Sequence, residues 1–247
     1  MPDETTQTPA GPAPRTVLVC PRLDQRGINT FASLTPTPRG APLGNDSKGR
    51  PVYQRLERWS LQAAMAREFA TDACFVGYDV SRDGVPVAEP PPRLTHNVRP
   101  ALQAAGYSIT CDKIGNDFDL KDILAPKVVA ELQHKFDPSC KKVSWAWLSS
   151  SLELEVIQRT DALTAELARR GLPHAAFYRT PNGFRLLHLL SEPVPAGEKF
   201  ERMLENLRGL HVSLGMPSDK ACVDWTRLMR LPKVTRPIEA SLLGGAA

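Results

Sequence analysis

Hydrophobic and polar positions follow two different periods along this chain. Apolar residues recur at helical spacing, with charged residues between them, in several segments that are each expected to form an amphipathic helix. The predicted helices are 53–70, 95–105, 123–135, 151–170 and 199–214. Thr95 is a suitable N-cap for the second of them, and Gly106 a suitable stop.

Short apolar runs between turn-forming residues predict strands. These are 16–20, 74–80, 175–178, 184–190 and 228–231, while 107–120 has the pattern of a strand, a turn and a second strand. The Pro181-Asn182-Gly183 turn predicts a hairpin. Strands and helices in this irregular order favour an α+β class, with a small mixed or antiparallel sheet flanked by helices in two layers.

Composition divides the chain into one large unit and two short ends. Residues 1–15 are rich in Pro and have little to bury, so they are expected to be a disordered tail. The segment 35–48 is expected to be a loop. One domain is predicted over 16–237, followed by a flexible C-terminal end at 238–247.

Charge and cysteine content limit the classes of function only weakly. The net charge of +4 and pI of about 8.9 permit a nucleic-acid partner without requiring one. The five cysteines are scattered and form no C-x-x-C pair, so neither a disulfide framework nor a zinc ribbon is expected. No run is apolar enough to span a bilayer and no signal peptide is evident, so a cytoplasmic protein without a membrane partner is predicted.

Two carboxylates stand two positions apart at the end of a predicted strand. In an extended chain, Asp117 and Asp119 project to the same face while Phe118 points into the core. Two ionised carboxylates this close repel each other unless a cation such as Mg²⁺ or Mn²⁺ neutralises them. Asp224 is the natural third ligand. The alternative interpretation is a solvated acidic loop that has no metal.

Cationic side chains follow in two later segments. Arg185 and His188 lie on the strand after the Gly183 turn, and Arg227 and Arg230 follow Asp224. Guanidinium groups match phosphate oxygens. Strand alternation puts Arg185 and His188 on opposite faces. We expect Arg185 to face the carboxylates, because a buried guanidinium needs a partner, and His188 to pack behind the sheet.

Three motifs in this order resemble those of archaeo-eukaryotic-type primases, particularly the primase-polymerase domains of phage and plasmid replication proteins. The motifs are Asp117-Phe118-Asp119, FYRTPNGFRLLHLLSEPV at 177–194 and DWTRLMRLP at 224–232; the segments INTFASLTP at 28–36 and THNVRP at 95–100 are similar more loosely. The chain departs from the family at one place. Arg185 stands where the middle motif usually has a His, and His188 comes three residues later.

The resemblance implies a two-layer α/β primase-polymerase domain that joins nucleoside triphosphates on a single-stranded DNA template. By resemblance, Asp117, Asp119 and Asp224 hold Mg²⁺ or Mn²⁺. Arg185 or His188, with Arg227 and Arg230, would hold the triphosphate.

Further partners and an alternative function follow from the same resemblance. The sequence has no G-x-x-x-x-G-K-[ST] loop, so the chain is not itself an ATP-driven helicase. A helicase domain or protein is a candidate partner, and whether the chain belongs to a longer primase–helicase stays open. The alternative is a catalytically degenerate primase-fold domain that binds DNA as a replication initiator.

Two tryptophans in strand-like alternation stand beside two lysines. Trp145 and Trp147, next to Lys141 and Lys142, would either stack on bases of a single strand or pack at the edge of the core. Trp225 is expected to form a wall of the active site.

Overall fold

The computed structural model describes residues 15–20, 56–68, 73–87 and 99–233. Apart from Arg15, the predicted tail at 1–15 lies outside these ranges. The same holds for the predicted loop at 35–48, the Thr95 cap and the C-terminal end at 238–247.

The described strands form two antiparallel sheets. The first has four strands in the order β2-β1-β3-β9: β1 is Thr16–Cys20, β2 Glu57–Ser60, β3 Cys74–Val76 and β9 Met229–Arg230. The second has five in the order β5-β4-β6-β8-β7: β4 is Tyr78–Arg82, β5 Val85–Pro86, β6 Tyr107–Asp119, β7 His174–Thr180 and β8 Gly183–Pro195.

Helices of very different length connect and cover these strands. They are α1 Leu61–Ala66, α2 Arg99–Ala104, α3 Leu120–Ile123, α4 Pro126–Phe136, α5 Ser150–Arg169 and α6 Glu198–Ser213, with 3-10 turns at Trp145–Trp147 and Lys220–Val223. The predicted α+β class is confirmed, with two antiparallel sheets instead of one. Among the described residues, no helix combines the length and apolar character needed to cross a membrane.

Two sequence predictions of secondary structure were wrong because strand pairing decided the outcome. The segment 107–120 has no turn: β6 is one strand of thirteen residues, paired with β4 along its first part and with β8 along the rest. The predicted helix at 53–70 is a strand, β2, paired with β1, followed by the short α1 capped by Ser60. Trp145 and Trp147 lie in a 3-10 turn, not in a strand.

The predicted strand at 74–80 crosses from one sheet to the other at Gly77. β3 pairs with β1 in the first sheet, and β4 pairs with β6 in the second. A Cβ at Gly77 would lie 2.5 Å from the carbonyl oxygen of Lys113 on β6, a distance that real side chains do not adopt. Glycine therefore allows the chain to pass close to β6 where the two sheets meet.

The β6–β8 pair has an apolar face and a charged face. On the apolar face, Phe118 and Phe184 stack with their ring centroids 4.7 Å apart, in one cluster with buried residues of α5 and α6. On the other face, Leu187 belongs to a second cluster with Phe75 and Met229 of the four-stranded sheet. The charged residues discussed below lie on this second face.

Candidate functional site

The pairing of β6 with β8 brings Asp117 opposite Arg185. Directly opposed residues of an antiparallel pair share a face, so the two side chains lie side by side. Arg185 Nη2 donates to Asp117 Oδ2 at 2.9 Å, and the two side chains are 11% and 14% exposed. Arg185 therefore faces the carboxylate of Asp117, as alternation predicts.

A second nitrogen of the Arg185 guanidinium is held by β9, whereas its Nε is buried without a hydrogen-bond partner among the described residues. Its Nη1 donates to the carbonyl oxygen of Arg230 at 3.3 Å, and the Tyr178 hydroxyl donates to the same oxygen at 2.6 Å. Burial raises the pKa of Tyr178 to about 12, so this phenol stays protonated as a donor. Burial by itself would lower the pKa of Arg185, but the hydrogen bond and charge of Asp117 raise it above its ordinary value. Arg185 therefore keeps its positive charge at every ordinary pH.

A second arginine and a further carboxylate reach the same place from the segment after α6. Arg227 Nη2 lies 2.9 Å from Asp219 Oδ2 and 3.8 Å from Asp117 Oδ2. Burial opposes ionisation of Asp219, but the Ala221 N–H and Arg227 lower its pKa below the ordinary value. One guanidinium nitrogen thus lies within 4 Å of two carboxylates from distant segments.

Backbone contacts fix this segment against the end of β6. The Asp219 N–H donates to the Asp117 carbonyl oxygen at 2.8 Å. The Asp117 N–H donates to Cys222 Sγ at 3.2 Å. Asp219 also caps the 3-10 turn by accepting from the Ala221 N–H at 3.0 Å. The position of Asp117 is therefore set by both sheet pairing and this turn.

Asp119 ends β6 and interacts with Asp117. Burial raises the pKa of Asp119, the neighbouring Asp117 raises it further, and Lys142 opposes both. Phe118 between them is fully buried, as predicted. A cation shared by the two carboxylates would relieve their repulsion. In donor type, this pair suits a hard divalent metal.

Asp224 has a local structural role in the described geometry. Its Oδ1 accepts from the Thr226 N–H at 2.8 Å and from the Thr226 hydroxyl at 2.6 Å. In the described ranges, no group of three or more Asp, Glu, His or Cys side chains is arranged to hold a metal ion. The three-carboxylate centre of Asp117, Asp119 and Asp224 therefore stays a prediction.

His188 lies on the apolar face, opposite Ile114, as alternation predicts. It is fully buried, with Nδ1 3.2 Å from the Pro173 carbonyl oxygen. Burial lowers its pKa, which favours the neutral ring. His188 and Arg185 are therefore on opposite sides of the sheet.

A pocket of about 240 Å³ opens beside Arg185. It lies between the β7–β8 hairpin and the chain leaving β9, and its wall includes Tyr178, Arg179, Arg185 and Arg230. The Arg179 guanidinium is turned to the other face of β7, where it pairs with Glu153 and lies over Trp145. The two other arginines of the wall suit an anionic ligand. The two sequence-predicted arginines of this wall, Arg185 and Arg230, are thus brought together, while Arg227 borders a different, smaller cavity.

Trp225 is part of the core beneath the site. It is 4% exposed, its indole N–H donates to Glu201 Oε1 at 3.0 Å, and its ring packs edge-on against Tyr78. It also borders a cavity of about 20 Å³ with Asp224 and Arg227.

Sequence reasoning missed Asp219, Tyr178 and Cys222. Asp219 follows a Pro-Ser pair and precedes a short turn, which is a capping signal with no chemical meaning of its own. Tyr178 alternates with exposed residues along β7, and Cys222 resembles any small buried residue. Their contacts with the site depend on pairings between distant segments.

Comparisons of the chain with protein-family models, with curated proteins and with solved structures gave no significant match. The geometry of the site is therefore the basis for the functional argument.

Proposed function

We propose that this protein is a metal-dependent nucleotidyltransferase of the primase-polymerase type. One observation carries the proposal: Asp117, the first residue of the acid pair at the end of β6, lies against two arginines that come from separate segments, Arg185 on β8 and Arg227 after α6. Acid for a divalent cation and fixed positive charge for phosphate are the two requirements of phosphoryl transfer from a triphosphate.

The residues divide into two roles. Asp117 and Asp119 would hold the metal, with a third carboxylate from the segment 219–224. Asp219 is supported by the arginine it shares with Asp117, and Asp224 by the sequence motif. A bound Mg²⁺ or Mn²⁺ would lower the pKa of the attacking hydroxyl and balance the charge of the triphosphate.

The arginines would hold the nucleotide. Arg185 and Arg230 line the pocket, and Arg227 lies beside Asp117. Phosphate oxygens would compete with Asp117 for the Arg185 guanidinium, which would leave the carboxylate to the metal. His188 faces the other side of the sheet and has no part in this step.

The proposal is tested by primer extension with Mg²⁺ or Mn²⁺ on a single-stranded template. Asp117→Asn and Asp119→Asn should each reduce incorporation by about 100-fold or more, because each removes a metal ligand. Asp122→Asn is the matched control: this nearby acid is exposed on α3, and its loss should leave incorporation unchanged. Comparing Asp219→Asn with Asp224→Asn identifies the third ligand. Full incorporation by a folded Asp117→Asn protein would refute the assignment.

A second function is favoured by the same ion pairs. Asp117 is already balanced by Arg185 and Arg227, so its charge does not require a metal. The domain would then be a DNA-binding replication initiator with no catalysis. If this second function is correct, the wild-type protein should bind DNA in a salt-sensitive manner and incorporate no nucleotide with any divalent metal.

A further inference from the structure

The 3-10 turn at Trp145–Trp147 is docked next to the carboxylate site. The Trp145 indole N–H donates to the Gly183 carbonyl oxygen at 2.8 Å, and its backbone N–H donates to the Pro181 carbonyl oxygen at 3.2 Å. Gly183 is the residue opposite Asp119 in the β6–β8 pair. The turn is therefore fixed to the same end of the sheet as the acid pair.

Both tryptophans carry a partner ring or a cation on the solvent side. Trp147 stacks on Phe136, with ring centroids 5.6 Å apart and planes 11° from parallel. Lys135 Nζ lies 5.1 Å from the centroid of the Phe136 ring, and the Arg179 guanidinium lies 4.5 Å from that of Trp145. Phe136 is 45% exposed and ends α4, so part of its ring is open to solvent.

The surroundings of these rings are basic. Lys135, Lys141, Lys142 and Arg179 are all exposed. Two carboxylates lie among these cations: Asp137, whose Oδ1 accepts from the N–H and the hydroxyl of Ser139, and Glu153, whose Oε1 lies 2.8 Å from Arg179 Nη1. The aromatic-basic surface defined in this way consists of Lys135, Phe136, Lys141, Lys142, Trp145, Trp147 and Arg179.

Core packing accounts for only part of this arrangement. Both tryptophans contact the main core at their inner edges. Packing does not require an exposed Phe136, nor a cation over each of two rings. Exposed cations over aromatic rings are readily displaced, and a nucleobase has the planar face that can replace them.

We propose that the aromatic-basic surface binds single-stranded nucleic acid, with bases stacked on Phe136 and Trp147 and phosphates on Lys141 and Lys142. Unpaired bases are required, because paired bases do not offer their faces to a side chain. Lys142 interacts with Asp119, so a strand held here leads toward the acid pair. The inference rests on the proposed function only for this last step, in which the bound strand is the template.

The test measures binding of a fluorescent oligothymidylate to the full chain by anisotropy, in EDTA and without nucleotide. Phe136→Leu and Trp147→Leu keep apolar volume but lose the planar ring, and each should weaken binding about tenfold. The double variant Lys141→Gln/Lys142→Gln should weaken binding and reduce the slope of log affinity against log salt by about one to two. Phe177→Leu is the matched control, because Phe177 is a similarly exposed aromatic residue on β7, outside the surface. It should bind as the wild type does.

The outcomes separate the possibilities. Wild-type affinity in both folded leucine variants would overturn the inference, and so would equal binding of a duplex of the same length. Circular dichroism verifies the fold of each variant, and the exposed Phe136 variant keeps the test valid if Trp147→Leu unfolds. Ring-dependent binding by a wild-type protein that incorporates no nucleotide would count against the proposed function and support the inference.

Discussion

The two faces of the β6–β8 pair are built from adjacent residues, but one face buries apolar side chains and the other buries charged ones. Phe118 and Phe184 fill the apolar face with stacked rings. One position away on each strand, Asp117 and Arg185 are nearly as buried but charged, and they are stabilised by each other. Strand alternation allows this sharp boundary, because successive side chains leave the backbone on opposite sides.

The contrast shows which face supplies stability. Burying aromatic rings is strongly favourable, whereas a buried ion pair returns little beyond the cost of removing both charges from water. A folding domain gains nothing from placing Asp117, Arg185 and Arg227 together when apolar residues would pack as well. The proposed function gives these charges a role that folding does not require.

The largest expected effect is on the apolar face. Phe118→Ala should lower the free energy of unfolding by about 3–5 kcal/mol, because it leaves a cavity beside Phe184. Phe177→Ala, at an exposed position, should cost less than about 1 kcal/mol. Urea unfolding of both variants measures the difference. Equal losses would mean that the Phe118–Phe184 stack is not a main part of the core.

The next effect is a pH dependence that arises from the same face. His211 on α6 is buried against Phe118, with ring centroids 5.1 Å apart, and burial lowers its pKa from 6.5 to about 4, with His188 adding to the shift. Because the folded pKa is the lower one, the stabilisation is present above pH 6.5 and is lost as the pH falls toward 4. The loss is on the order of 3 kcal/mol.

Urea unfolding between pH 7 and pH 4 checks this expectation. The variant His211→Gln should show a flatter decline than the wild type, whatever its stability at pH 7. Parallel curves for the two proteins would show that other groups cause the acid sensitivity.

A smaller effect is expected on the charged face. In Arg185→Met, Arg227 at 3.8 Å is the remaining arginine partner of the Asp117 carboxylate among the described residues. The substitution should lower the free energy of unfolding by about 2–3 kcal/mol. Adding Asp117→Asn should recover much of this loss, because the unpaired charge is removed. A double-mutant cycle in urea tests the coupling. Purely additive losses in the free energy of unfolding would mean that the two side chains are not energetically coupled.

The smallest effect concerns an exposed ion pair between β7 and α5. Arg179 and Glu153 lie 2.8 Å apart with side chains 47% and 38% exposed. Glu153→Gln should change the free energy of unfolding by less than about 0.5 kcal/mol, because solvent screens the pair. A loss above about 1 kcal/mol would show that the difference in burial does not explain why the Asp117–Arg185 pair matters more for stability than the Arg179–Glu153 pair.

The features that could be predicted from the sequence are those with a local cause. The periodicity of α5 and α6 and the Pro181-Asn182 turn of the hairpin are properties of short segments. The opposite orientations of Arg185 and His188 follow from alternation within a single strand. Local pattern was sufficient in each case.

The features that escaped prediction depend on partners elsewhere in the chain. Residues 57–60 have helical spacing, yet they pair with β1. The continuity of β6 depends on β4 and β8 at its two sides, and Asp219 reaches the site through the Asp117 carbonyl group. Each of these pairings is selected from many segments that could pair with the same strand. The sequence of one segment does not determine which partner it takes.

The position of β9 has a consequence for the order of events during synthesis. This strand pairs with β3, and the turn just before it supplies Asp219 and Arg227 to the site. A ribosome delivers β3 early and β9 near the end of the described chain, so this long-range pairing closes late and slowly. A nascent chain that stops before residue 219 holds Asp117 and Arg185 but neither of those partners. The finished site therefore exists only in a chain whose translation has passed Arg230.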